Sequence, residues 1–378
     1  MEAIVLRIRC PGPVRRTTRR AYRGPVSFAG GVVAGCPTLS EVKPSKGWEL
    51  RKQRKDSGLP LRYHPYTVND IPSDPLFLGT AAFILGLAFG SFLNVCIYRL
   101  PRGLSLLSVS KCPDCGKPIK PWYNIPVLGW LVLRGRCSEC RHPISVRYAI
   151  VESLVGALFV VSILRFGLSL EMAKHAVFGF LIIGLIFTDA DLHLLPDALT
   201  LPGFWVALLF SLFVPVGGAG FLGKHAAERF VSFLPYDFRL GAISLLAALL
   251  GAGIGAFFIW GVGEAYKRVR GVEGMGFGDV KLMAMVGAFL GVKLTVLTLA
   301  LGSLAGSLAG VTAILTVFLK RMKRYSGSGT KSHGKSWSSA KLVLRHYEMP
   351  FGVFLGTMAL VSQWFGDQAM DWYFRLYR

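Results

Sequence analysis

Eight apolar runs decide what this chain can fold into, at 76–98, 148–168, 172–190, 195–216, 240–262, 280–291, 294–319 and 350–366. About 20 apolar residues in a helix cross the hydrocarbon core of a bilayer, and only helices or closed barrels satisfy the backbone there. The expected fold is therefore an all-α polytopic membrane protein with about eight transmembrane helices. The run at 280–291 is the shortest and must borrow flanking residues to cross. Only 17% of the 378 residues are charged, and mean hydropathy is +0.48, which excludes an ordinary soluble globule. Glycines 86 and 90, 251 and 255, and 302, 306 and 310 keep four-residue spacing. That spacing either lets neighbouring helices approach closely or reflects the general glycine content of membrane helices.

The formal net charge is +22. Because Lys and Arg gather in the tail and in loops between apolar runs, the expected partner is the lipid bilayer, not nucleic acid. The loop from 99 to 147 holds Arg99, Arg102, Lys111, Lys117, Lys120, Arg134, Arg136, Arg141 and Arg147. Positive residues favour the cytoplasmic side, so this loop is expected there. With eight spans, the 320–347 loop and the 263–281 loop (Lys267, Arg268, Arg270, Lys281) fall on the same side. Residues 1–72, rich in Arg, Pro and Gly, would then lie outside the cytoplasm. Only Lys55 and Arg62 stand within ~20 residues of the first span, the range in which orientation is read. Seven Arg before residue 24 resemble an organellar transit segment. The preferred reading is a disordered extension, or a start codon assigned too far upstream.

Cys112-Pro-Asp-Cys115 and Cys137-Ser-Glu-Cys140 form two CxxC knuckles separated by 21 residues. That spacing suits a four-cysteine structural zinc site, which leaves no open coordination position. Paired disulfides or a metal-free loop are the alternatives, and a reducing cytosol disfavours the former. Cys10, Cys36 and Cys96 have no partner at metal spacing.

Carboxylates in or beside apolar runs are costly and mark functional sites. Asp189 ends one run, Asp191 follows, and Pro196-Asp197 opens the next. Asp197 also reads simply as a helix-start residue, since proline and acids suit the first turn. In Gly274-Met-Gly-Phe-Gly-Asp-Val-Lys281, three glycines let Asp279 approach another helix or an extended substrate, unless they serve only a turn. Asp189 and Asp279, if brought together, could share a proton and activate water, which is aspartic protease chemistry.

At this point the motifs resemble a family. Gly90-Ser-Phe-Leu-Asn-Val-Cys-Ile-Tyr-Arg-Leu-Pro101, the two knuckles, Asp189-Ala-Asp-Leu-His-Leu-Leu-Pro-Asp197, Gly274 to Lys281, and Pro350-Phe-Gly-Val-Phe-Leu occur in one order. Together they resemble the bacterial prepilin peptidases of type IV pili and type II secretion, membrane aspartic proteases of the GxGD class. The resemblance spans about 76–366.

It implies cleavage of a basic leader from prepilins or pseudopilins at the cytoplasmic face of the inner membrane, typically after glycine. It also implies methylation of the new amino terminus with S-adenosylmethionine as cofactor. Asp189 and Asp279 would be the catalytic pair, with Asp191 and Asp197 as supporting residues. No glycine-rich nucleotide loop of the Rossmann type appears, so methylation rests on the resemblance alone. The implied domains are a basic extension at 1–75, a first span with its cytoplasmic zinc-binding loop at 76–147, a protease core at 148–366 and a tail at 367–378. The long tail, the 90 positions between the aspartates and the Gly/Ser/Lys-rich insert at 320–347 depart from the family's pattern. A GxGD protease for other membrane-anchored substrates, or a non-catalytic transporter or adaptor, is the alternative, although no internal repeat of a transporter kind is evident.

Overall fold

A computed structural model describes residues 74–216, 236–272, 276–325 and 350–376, with side chains omitted at 236–238 and 321–325. The extension at 1–73, Gly274, most of the 217–239 connection and most of the 320–347 loop lie outside the described residues.

All eight apolar runs fall in helices. These are α1 (Pro75–Arg99), α2 (Leu128–Val132), α3 (Arg147–Phe166), α4 (Leu170–Leu192), α5 (Asp197–Phe213), α6 (Tyr236–Arg270), α7 (Phe277–Tyr325) and α8 (Phe351–Leu376). Local chemistry starts several of them. Asp74 caps α1 by accepting the Leu76 N–H at 3.0 Å, ahead of Pro75 in the first turn, and Ser169 caps α4 through Met172 N–H at 3.1 Å.

The expected count of eight spans is not confirmed. Among the described residues five helices are long and apolar enough to cross a membrane, and Asp197–Phe213 is a shorter apolar helix. The runs at 280–291 and 294–319 belong to one helical stretch, α7, interrupted at Gly291 with φ 76 and ψ 175. Essentially only glycine adopts that backbone. The chain reverses there, as the contacts along α8 show. Gly366 packs on Leu294 and Leu297, Gly302 packs on Leu355, and Gly306 lies beside Phe351. Asp279 lies at Gly352, so both arms of α7 start or finish at the same end of α8. The first arm, from Phe277 to Gly291, climbs only about 20 Å at 1.5 Å per residue, less than the ~30 Å hydrocarbon core.

Two apolar clusters hold the bundle. One joins α4, α5, α6, α7 and α8 around Phe178, Leu282, Met283, Met285 and Leu355. The other joins α1, α3 and α4 around Leu93, Ile97, Val151, Val155 and Phe159. In lipid, such helices associate through close packing more than through apolar burial. The closest approach is between α6 and α7. A methyl group on Gly287 would collide with the Gly251 carbonyl oxygen, so only glycine fits at that crossing.

Candidate active site

Three helix ends meet around two carboxylates. Asp189 occupies the last turn of α4, which closes as the His193 N–H donates to the Asp189 carbonyl at 2.9 Å with His193 left-handed. Asp279 occupies the first turn of α7, its N–H donating to the Gly276 carbonyl at 3.2 Å. Both side chains are buried. The third end is the start of α8, where the Val353 N–H donates to Asp189 Oδ2 at 2.9 Å. The first N–H groups of a helix have no partner within the helix and suit an anion.

Gly352 separates the two acids. A methyl group there would lie 2.8 Å from Asp189 Oδ2 and 3.3 Å from Asp279 Oδ1. The sum of those distances places the two oxygens no more than about 6.1 Å apart. A carboxylate pair at that spacing, at the mouth of a helical bundle, can hold one water between its members.

Asp191 and Asp197 are engaged elsewhere. Asp191 pairs with Arg147 at the start of α3. Asp197, first residue of α5, accepts two hydrogen bonds from Lys281 Nζ at 2.7 and 2.8 Å. Lys281 follows Asp279 by two residues, so this pair ties the start of α5 to the start of α7 beside the acid. Gly278 packs on Leu195 in the same seam. Asp197 thus starts a helix, and a positioning contact accompanies that role.

The four-cysteine loop joins α1 to α3. Through Arg147 and Asp191 it shares one end of the bundle with the carboxylate pair. Its four Sγ atoms lie within 4.8 Å of one another, with Cys112 and Cys140 at 3.7 Å. Tetrahedral zinc with bonds near 2.3 Å needs sulfurs roughly 3.8 Å apart, so the donor set fits that ion. No disulfide joins them.

The knuckles are one structure made twice, 25 residues apart. Cys112 N–H donates to the Lys117 carbonyl and Gly116 N–H to Cys112; Cys137 N–H donates to His142 and Arg141 N–H to Cys137. Lys111 bridges to Pro118 as Arg136 does to Pro143. Backbone N–H groups of Cys140 and Glu139 lower the Cys137 thiol, while burial and the three neighbouring sulfurs raise Cys140, so four thiolates at this spacing need a cation among them. Across the knuckles Lys117 meets Glu139 at 3.0 Å, which holds the Glu139 carboxyl below its ordinary range.

Residues 176–311 match the Type IV leader peptidase family, and residues 84–166 match the Bacterial Peptidase A24 N-terminal domain. A prepilin leader peptidase/N-methyltransferase of Pseudomonas putida is 34% identical over 321 residues, covering 78% of this chain and 93% of that protein. A protein of the same name from Stutzerimonas stutzeri is 32% identical over 336 residues, covering 82% and 99%. The chain belongs to the type IV leader peptidase family. A Neisseria gonorrhoeae relative of that name is 36% identical over 236 residues, covering 56% of this chain and 73% of its own. No solved structure matches the chain.

Gly352, Val353 and Lys281 were not among the expected site residues. Their signal was present, since Pro350-Phe-Gly-Val opens the last apolar run and Lys281 ends the glycine-rich motif. What the sequence lacks is any local reason for a glycine at 352, because the crowding comes from two other helices.

Proposed function

We propose that this chain is a prepilin leader peptidase in which Asp189 and Asp279 are the catalytic pair, and that it also methylates the amino terminus it creates. The observation that carries the reading is the gap at Gly352, where both buried carboxylates converge. Two acids so close titrate as one unit and share a proton. Water held between them loses a proton to the ionised carboxylate as its oxygen attacks the scissile carbonyl carbon. The protonated partner donates to the carbonyl oxygen. The tetrahedral intermediate then collapses, and the proton taken from water passes to the departing amide nitrogen. The Val353 N–H holds Asp189 in place, and the Asp197–Lys281 pair sets the start of α7 and hence Asp279.

The substrate class is the basic-leader prepilins and pseudopilins, whose apolar segment lies in the same bilayer. The nine basic residues of the 99–147 loop argue for that loop and the carboxylate pair facing the cytoplasmic side of the inner membrane. Cys112, Cys115, Cys137 and Cys140 would hold a structural zinc that fixes the loop's fold. S-adenosylmethionine is the methyl donor implied by the family. The described residues contain no strand–turn–helix unit of the dinucleotide type to grip it, so no step is assigned to a residue there.

The test is cleavage of a prepilin-like substrate in detergent by wild type, Asp189→Ala and Asp279→Ala. Both variants are expected to be inactive while folded. Cleavage at the wild-type rate by both would refute the assignment.

A further inference from the structure

The loop that carries the cysteines also carries an apolar surface that no other described residue covers. Trp122, Ile125, Leu128, Leu131 and Val132 are each between 47% and 71% exposed within eleven consecutive residues. They sit on a short turn and on α2, which pack on each other so tightly that Gly129 meets the Tyr123 carbonyl. Such a patch in a soluble loop would invite aggregation.

Where the segment is held decides what covers it. Val127 N–H, at the start of α2, donates to Glu152 Oε2 at 2.7 Å. Glu152 is buried in the second turn of α3, and its other oxygen meets Asn94 Nδ2 of α1 at 3.5 Å. Asn94 also donates to the Tyr148 carbonyl at 3.0 Å. A methyl group on Gly90 would lie 2.6 Å from the Glu152 Cα, so α1 and α3 are in contact at that level. Glu152 stands five residues past the start of α3, about 7 Å along its axis. The latch therefore draws the 122–132 segment down beside the second turn of α3 and the last turns of α1. Val127 has φ 59, an unfavourable backbone for a β-branched residue, and the hydrogen bond to Glu152 holds it there.

Depth, charge and composition agree. Interfacial segments bury an apolar face ~5–10 Å into the headgroup and acyl boundary, with tryptophan and basic residues around it. The 99–147 loop has nine basic residues against only Asp114 and Glu139. We propose that the Trp122–Val132 segment is an interfacial anchor that inserts its apolar face into an anionic lipid leaflet, with the Glu152–Val127 latch setting its depth. The basic loop would repel a basic leader peptide, which disfavours substrate as the occupant. The proposal does not depend on the cleavage chemistry.

The experiment uses full-length protein in nanodiscs of zwitterionic or mixed anionic lipid. A photoreactive benzoylphenylalanine replaces Leu131 in one variant and Asp114, on the first knuckle, in another. Lipid adducts are expected at 131, several-fold more in anionic discs, and not at 114. A Leu131→Asp/Val132→Asp variant should speed hydrogen exchange across 122–132 on the order of tenfold while its zinc content stays at the wild-type value. Adducts at 131 to protein, whether a second copy or added substrate, would overturn the proposal. So would no adduct at 131, or exchange in the double variant equal to wild type.

Discussion

The carboxylate pair and the four-cysteine loop share one end of the bundle but are built in opposite ways. Each knuckle is assembled from its own neighbours, with hydrogen bonds spanning a few residues and the same pattern repeated 25 positions on. The carboxylate pair has no local scaffold. Its parts come from the end of α4, the start of α7 and the start of α8. A site made from local turns can survive changes in the bundle, whereas one made from helix ends fails when any of three helices shifts. In a membrane this division has a physical basis. Helices are rigid and must satisfy their own backbone, so chemistry gathers where they end, while the cysteine knuckles close within their own turns and need no neighbouring helix.

Substitutions can break that contrast, starting with the largest effect. Asp279→Asn and Asp189→Asn should each lower prepilin cleavage by about 10²–10⁴-fold and leave bound zinc unchanged. Zinc lost along with activity, by elemental analysis of purified protein, would mean that the two regions are not separate. Next, Gly352→Ala inserts a methyl 2.8 Å from Asp189 Oδ2. It should cost on the order of 10²-fold in kcat, since small misplacements of reacting groups are that expensive. Wild-type kcat in this variant would show that the gap is not where the reaction occurs.

Cys112→Ser should abolish stoichiometric zinc and slow cleavage less than the aspartate changes do, because it unties the loop and not the helix ends. Titration with a zinc indicator after denaturation reads the first effect and a peptide assay the second. A smaller effect is expected from Lys281→Met. It removes a half-exposed ion pair of at most about 1 kcal/mol and should reduce kcat a few-fold, with partial rescue in Lys281→Arg. The smallest concerns the knuckles. Arg141 has φ 60 where the first knuckle places Gly116 at φ 69. Arg141→Gly should therefore stabilise the metal-free loop by roughly 1 kcal/mol, seen as slower proteolysis after chelation.

Much of this was legible in the chain. The apolar runs all became helices, and Asp189 and Asp279 stood out as charged residues where apolar surroundings should exclude them. The knuckles could be read from spacing, and their repeat is spelled in Lys111-Cys-Pro-Asp-Cys and Arg136-Cys-Ser-Glu-Cys. Three things were not legible. Gly291 looks like any membrane-helix glycine until α8 is seen to run alongside both arms of α7. Gly352 looks like a helix-start glycine until two acids crowd it. Glu152 reads as one more acid at a helix start until Val127, 25 residues away, is found hydrogen-bonded to it.

By itself the sequence determined the helices, the cysteine knuckles and the candidate acids, because apolar length, CxxC spacing and the cost of charge in lipid are local quantities. Only the tertiary structure decided which acids meet, where α7 turns back and which helix holds the loop. Each of those depends on contacts between helices distant in sequence, and a helix's own residues record its apolar surface without naming the neighbour that covers it.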